Sequence, residues 1–198
     1  MTRIKPIVMT VLDLSFYFTL ILIIFLSIRN FVVQPFQVEG QSMDPTLHQG
    51  DQMLLNRLSD PQRFDIVIFP DPMGSGDFYV KRLIGLPGDQ VQVINDQLYI
   101  NGQAYDEPYL PVSATQDPTS DFTEDFTLRQ ITGQDQVPEG YYFVLGDNRP
   151  GSGDSRQFGF VPIASILGTA SIIYYPFDQA EILPDYILDE NMATIYPN

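Results

Sequence analysis

The 198 residues (22.4 kDa) provide for one domain with an appendage, and 44% hydrophobic against 18% charged residues excludes both a disordered chain and a multi-span membrane protein. Ten Lys and Arg against 25 Asp and Glu leave a net charge of -15, which repels phosphate backbones and argues against nucleic acid as a partner. With no Cys and a single His, His48, the chain lacks a cysteine nucleophile, a thiolate zinc site and a disulfide framework, and neither a metal nor another cofactor is expected.

Charge is unevenly spread: Arg3, Lys5, Asp13 and Arg29 give residues 1–30 a net of +2, leaving -17 for the rest. Inside this positive part lies an apolar run, residues 7–28. As a helix it would extend roughly 33 Å, enough to cross a bilayer. Asp13 falls near its first end, where a carboxylate reaches the headgroups. A cleaved secretory signal has a shorter apolar core and a small-residue cleavage site, whereas this run ends in Ser27-Ile28-Arg29-Asn30-Phe31-Val32-Val33. A buried core helix is disfavoured by the 15 uncharged residues from Leu14 to Ile28. The expectation is an uncleaved, single-pass transmembrane anchor over 7–28, with residues 1–6 as a cytoplasmic tip because Arg3, Lys5 and the terminal amine favour that side. The acidic body would then lie outside the cell membrane, with the lipid bilayer as a partner.

Residues 31–177 read as a β-rich domain. Short β-prone runs occur at Gln52–Leu55, Asp65–Phe69, Tyr79–Val80, Gln90–Ile94, Gln97–Ile100, Gly140–Leu145 and Ile166–Tyr175. Asn95-Asp96 and Asn101-Gly102 punctuate hairpins. The 16 Pro and 14 Gly residues argue against long soluble helices, so the expected class is mainly β, with coiled antiparallel or barrel-like sheets. Residues 103–137 stand apart: between 101 and 140 there are eight acidic residues and one basic residue, Arg129, which reads as a solvated acidic insertion. The acidic tail 178–198 is expected to be poorly ordered.

Lysine usage points to chemistry. Lys5 belongs to the N-terminal tip, so Lys81 is the one Lys of the body, and it sits in the apolar context Phe78-Tyr79-Val80-Lys81-Arg82-Leu83-Ile84. Burial disfavours an ammonium and lowers its pKa from about 10.4, yielding an amine able to accept a proton near neutral pH. Such a base needs a nucleophile, and Ser42 in Gly40-Gln41-Ser42-Met43-Asp44-Pro45-Thr46-Leu47 is the candidate. A Ser-His-Asp arrangement through His48 is disfavoured, because His48 is only six residues on and no partner carboxylate is evident. A third cluster, Leu145 to Arg156, suggests a hydrogen-bonded network in which Asp147 and Asp154 pair with Arg82 and Arg156 and hold a catalytic rotamer.

These segments, in this order after one N-terminal span, resemble type I signal peptidase, the membrane-bound Ser-Lys protease family that removes signal peptides from exported proteins. Ser42-Met43-x-Pro45-Thr46-Leu47 resembles the nucleophile box, Lys81 to Asp89 the lysine box, and Gly146-Asp147-Asn148-Arg149 with Ser152, Asp154, Ser155 and Arg156 the last box. Pro35 to Val38 and Asp65 to Phe69 resemble the remaining structural boxes. The resemblance implies Ser42 as nucleophile, Lys81 as general base, Ser152 as a lysine-orienting hydroxyl and the Ser42 backbone N–H as an oxyanion donor. It further implies that Phe36, Val38, Met43, Leu47, Tyr79 and Val80 line two shallow pockets selecting Ala-x-Ala. The implied partners are signal peptides of secreted preproteins and, as a further candidate, the protein translocation channel.

Three positions depart from the best-known pattern. Gly40 stands where some members have a Ser completing the oxyanion hole, Phe64 replaces a Gly before Asp65, and Gly151 replaces an Asn beside Ser152. The single span and short insertion resemble Gram-positive or organellar-type members. The leading alternative is a catalytically inactive relative that binds precursors or scaffolds the secretion machinery, against which the presence of both Ser42 and Lys81 counts. A self-cleaving repressor-like protease shares the chemistry but is opposed by the apolar span and the charge. A membrane-anchored adhesin or binding module would need neither residue.

Overall fold

The structure is a computed structural model that describes residues 4–111, 122–189 and 194–197. Helix α1 (Ile4–Phe31) extends past both ends of the apolar run, and Pro6 falls in its first turn, where a missing N–H removes no intrahelical bond. Its stretch Met9–Ser27 is long and apolar enough to cross a membrane and none of it is buried against the rest of the chain. Thr19 and Ser27 turn their hydroxyls back to the Ser15 and Ile23 carbonyls, which satisfies polar groups inside an apolar stretch.

The helix passes directly into a large antiparallel sheet of eight strands. In spatial order its main path is β1 (Val33–Gln37), β2 (Gln52–Asn56), β11 (Gly168–Tyr175), β3 (Ile66–Pro70), β4 (Phe78–Gly85), β9 (Tyr141–Leu145) and β10 (Val161–Pro162), with β12 (Glu181–Ile182) added beside β11. A second sheet runs β7 (Gln103–Tyr105), β6 (Gln97–Ile100), β5 (Val91–Ile94), β8 (Phe126–Thr127). The mainly β, antiparallel class read from the sequence is the observed one. The barrel-like alternative is corrected, since the large sheet starts at β1 and stops at β10 without closing.

The hairpins of the second sheet follow from local chemistry. Asn95 and Asp96 adopt φ of 50° and 60°, and Asn101 and Gly102 adopt 54° and 82°. Two consecutive left-handed residues are what a two-residue turn needs to match strand twist, and Asn, Asp and Gly tolerate them. The registers Ile94↔Gln97 and Ile100↔Gln103 follow. Helix α2 (Leu128–Thr132) is one short turn with a capping box between Thr127 and Gln130, ended by Gly133 at φ 76°. Helix α3 (Ser155–Phe158) is capped by the Asp154 carboxylate.

Three apolar clusters hold these layers together. One joins the second sheet to β4 and β9 through residues such as Val93, Leu98, Ile84 and Phe143. A second gathers Val38, Met43 and Leu47 against β2, β3 and β11. The third packs Val67, Phe69, Leu83 and Val144.

Two expectations change here. The acidic segment 103–137 is integral at both ends: Tyr105, Glu107, Tyr109, Phe126, Leu128 and Val137 are all buried. Its middle, residues 112–121, lies outside the described residues. The tail 178–198 is structured where described, forming β12 and a hairpin of β13 (Tyr186–Asp189) and β14 (Thr194–Pro197), because Leu183 and Ile195 each find a place in a core cluster.

Two ion pairs measure the difference between inside and outside. Glu107 and Arg149 are buried together, with Tyr109 and Thr123 hydroxyls completing the contacts, whereas Arg129 and Asp135 pair on the surface. Glu107→Ala leaves a buried guanidinium without its counter-charge and should cost about 3–5 kcal/mol in urea denaturation. Asp135→Ala should cost at most about 1 kcal/mol in the same experiment.

Candidate active site

Ser42 lies in the loop joining β1 to β2. The ladder continues past the strands through Val38 N–H to Asp51 O (2.8 Å) and Gly50 N–H to Val38 O (3.0 Å), so the loop is closed at its base. Met43 and Leu47 anchor it in the core and are tied by a bond from Leu47 N–H to Met43 O (3.0 Å). With its neighbour pinned inward, Ser42 faces β4, where Lys81 Nζ meets its Oγ at 2.6 Å. Lys81 is 4% exposed, and Tyr79, two residues along the same strand, places its ring centroid 5.2 Å from Nζ. Burial lowers the Lys81 pKa from 10.5 to about 8, against the opposing pull of the Asp154 and Asp147 carboxylates.

Those carboxylates are already committed to arginines. Asp147 is fully buried and receives Arg82 Nε at 2.9 Å on one oxygen and Arg82 Nη2 on the other. Asp154 receives Arg156 Nε (2.8 Å) and Nη2 (2.8 Å), and Gly146 N–H (3.1 Å). Among the described ion pairs none involves Lys81.

The turn after β9 grips the nucleophile loop directly. Thr46 Oγ1 donates to Asp147 at 2.6 Å, Asn148 N–H donates to Ser42 O at 3.1 Å, and Asn148 Nδ2 donates to Gln41 O at 3.0 Å. Between them Gly146 passes so close that a Cβ there would run into Ser42 O and Ser152 Oγ. Arg149 Nε returns to Gly146 O at 3.0 Å, and Arg156 Nη2 donates to Arg149 O at 2.6 Å, closing the turn on itself.

The sequence-derived residues thus divide. Ser42, Lys81, Arg82, Asp147, Asp154 and Arg156 converge on one region. Ser152 lies beside Gly146, but its buried Oγ makes no hydrogen bond, so the lysine-orienting contact is not formed in this structure. Phe36, Val38, Met43, Leu47 and Val80 share one core cluster, and four of them are buried within it. Tyr79 leaves this group and packs instead with Val67 and Phe69. Gly40 stands two residues before Ser42 at φ 83°, with open space where a side chain would project. His48 is exposed and close to Asp44 and Asp51 rather than to Ser42. Among the described residues no cluster of His, Cys, Asp or Glu is arranged to hold a metal ion.

Sequence reasoning missed the parts played by Thr46, Glu107, Tyr109 and Gly146. For Glu107 a signal existed: Tyr105, Glu107 and Tyr109 alternate at period two, which puts the carboxylate on the side of two aromatic rings.

A Ser hydroxyl in contact with a buried, carboxylate-free amine is a nucleophile beside a base, the arrangement used in acyl transfer. Comparison with known proteins places the chain in a family. The family described as "Signal peptidase, peptidase S26" matches residues 11–175. The chain is 46% identical over 157 residues to signal peptidase I of Bacillus caldolyticus, covering 77% of this chain and 85% of that one. It is 44% identical over 162 residues to signal peptidase I S of Bacillus subtilis (strain 168), covering 78% and 83%. A crystal structure of a signal peptidase I from Enterococcus faecalis V583 superposes with a TM-score of 0.53 at 51% identity, covering 56% of this chain and 97% of that one. This chain therefore belongs to the signal peptidase I family, the S26 peptidases.

Proposed function

We propose that this chain is a membrane-anchored serine endopeptidase that removes N-terminal signal peptides from exported preproteins, with Ser42 as nucleophile and Lys81 as general base. The observation that carries this reading is the 2.6 Å contact between Ser42 Oγ and the buried Nζ of the one Lys in the body. In this reading Oγ attacks the scissile carbonyl carbon while neutral Lys81 Nζ takes the hydroxyl proton. The oxyanion is held by the Ser42 N–H. Collapse breaks the C–N bond, and the Lys81 ammonium returns its proton to the leaving amine. Water, deprotonated by Lys81 in turn, then releases the acyl group from Ser42.

Binding follows from the sheet edges. β1 is a terminal strand of the large sheet. Strand β4 pairs with β9 only from Arg82 onward, so among the described strands Phe78–Lys81 pairs with β3 alone. The Phe36 and Phe78 rings meet at 6.1 Å across the space between these two edges. An extended peptide laid there adds backbone hydrogen bonds on its way to Ser42. Val38, Met43, Leu47 and Val80 pack together in the core beside Ser42 and Lys81, and in this reading they leave room only for small side chains ahead of the cut, which supports Ala-x-Ala selection. Helix α1 supplies the anchor, with Arg3 and Lys5 on the cytoplasmic side and the sheets outside the cell membrane, next to the translocation channel.

The direct test uses the full chain in detergent with a precursor bearing Ala at -1 and -3, the cut being mapped by mass spectrometry. Wild type should cleave after the -1 residue, and Ser42→Ala and Lys81→Ala should not; wild-type-like cleavage by Ser42→Ala would remove it as nucleophile. Lys81→Arg keeps the charge but cannot act as a base near neutrality and should lose about 10²–10⁴-fold in kcat.

The pH dependence has a defined sign. Only the neutral amine is a base, so kcat/KM should climb through about pH 8 and level off above it. A profile flat from pH 6 to pH 9 would exclude Lys81 as the titrating base.

Stability should rise with pH in the same direction as activity. Unfolded Lys81 binds its proton below about pH 10.5 and folded Lys81 only below about 8, so unfolding takes up a proton between them and stability rises with pH across that window. Below it the burial penalty is fully present. Lys81→Met should therefore stabilise the fold near pH 7 by up to about 3 kcal/mol, an advantage that shrinks to nothing above about pH 10.5 in pH-dependent denaturation.

A further inference from the structure

The family match ends at residue 175, yet the segment beyond it reaches the network behind the dyad. Leu183 is 4% exposed in one core cluster, Ile195 is 6% exposed in another, and Leu183 N–H bonds Ser171 O at 2.9 Å. These anchors place Tyr186, the first residue of β13, over Arg82: its ring centroid lies 5.4 Å from the guanidinium carbon, beside Tyr109 at 4.1 Å. The two rings meet edge-to-face at 5.4 Å and form a two-ring cap.

Arg82 has its donors engaged around its edge: with Asp147 through Nε and Nη2, with Thr46 Oγ1 at 3.4 Å, and with Phe64 O at 2.9 Å. Its planar face has no donors to offer and is covered by aromatic carbon, the contact a guanidinium prefers when desolvated. Tyr186 also lines a cavity of about 540 Å³ together with Asp65, Ser171 and Asp185. The ring therefore borders both a polar cavity and a buried ion pair. The Tyr186 hydroxyl makes no hydrogen bond among the described residues, so the aromatic face and not the phenol is what Arg82 uses.

We infer that Tyr186 is a positioning residue for the Ser42–Lys81 site: its ring keeps water from the Arg82–Asp147 pair and so holds the Thr46–Asp147 bond that fixes the nucleophile loop. Loss of the ring opens the cavity onto Arg82. Water then competes for Asp147, the Thr46 tether weakens, and Ser42 moves off line from Lys81, while the β1 and β4 edges that bind the peptide backbone stay in place. The inference rests on the Ser42–Lys81 reading above.

The experiment is a double-mutant cycle in the full-length protein, with each variant assayed below its own melting temperature on the Ala-bearing precursor. Tyr186→Phe keeps the ring and should stay within about twofold of wild type. Tyr186→Leu keeps apolar bulk but loses the ring face, and should lower kcat about tenfold at unchanged KM, the scale of a small misplacement of a reacting group. In a Thr46→Val background, where the tether is already gone, the same Tyr186→Leu change should lower kcat by less than about twofold. A tenfold loss in both backgrounds would mark a merely structural role and overturn the inference. So would a Tyr186→Leu enzyme with wild-type kcat, or a Tyr186→Phe enzyme as impaired as Tyr186→Leu. Ser42→Ala is run alongside: cleavage by it would overturn the dyad reading, an outcome separate from any result at Tyr186.

Discussion

The structure depends on keeping one amine buried without a counter-ion. Lys81 could lose its basicity to any carboxylate free to pair with it, because a salt bridge raises the pKa that burial lowers. Both carboxylates whose charge reaches it, Asp147 and Asp154, are instead held by Arg82 and Arg156. Arginine suits this task better than lysine would. It stays protonated when buried, and its fork takes both carboxylate oxygens at once. The turn after β9 thus keeps both carboxylates engaged by arginine close to Lys81 and leaves its Nζ in contact with Ser42 Oγ.

The same residues also set distance. Asp147 binds Thr46 on the Ser42 loop and Arg82 on the strand that carries Lys81, so one carboxylate links the loop and the strand through two side chains. Gly146 and Asn148, its neighbours in the chain, touch the Ser42 carbonyl directly. A hydrogen-bonded turn with a glycine at the contact has little freedom to drift. That rigidity is what the proposed nucleophile and base need if they are to stay within bonding reach while substrate comes and goes.

Much of this was legible in the sequence because the informative features are local. Asn95-Asp96 and Asn101-Gly102 specify turns within a few residues, the apolar run specifies α1, and a solitary Lys in an apolar strand identifies itself. What stayed hidden depends on partners far along the chain. Glu107 sits among surface-like acidic residues, and only its meeting with Arg149, in a different part of the chain, makes it internal. Leu183 and Ile195 are isolated apolar residues in an acidic tail, too sparse to give a periodic signal, and their value comes from clusters built by other elements. The pocket residues differ in placement: Tyr79 and Val80 are neighbours on one strand and point to opposite sides of it, Tyr79 on the side of Lys81 Nζ and Val80 into the cluster with Met43 and Leu47.

The burial that makes Lys81 useful works against folding, and the distribution of polar groups shows how the chain tolerates this. Arg82, Arg149, Asp147 and Asp154 are all buried around it, each with its charge answered. Replacing such pairs by apolar residues of similar volume is often neutral or stabilising. Their presence at this one corner of the molecule is therefore better explained by geometry than by stability. An apolar core could seat a lysine, but it would not fix the direction of the Ser42 carbonyl or the height of the Thr46 hydroxyl, since dispersion contacts are non-directional and hydrogen bonds are not. In the proposed dyad, Ser42 and the amine of Lys81 have no ion pair of their own to align them. The alignment has to be imported, and the arginine–carboxylate pairs beside the dyad are where it comes from.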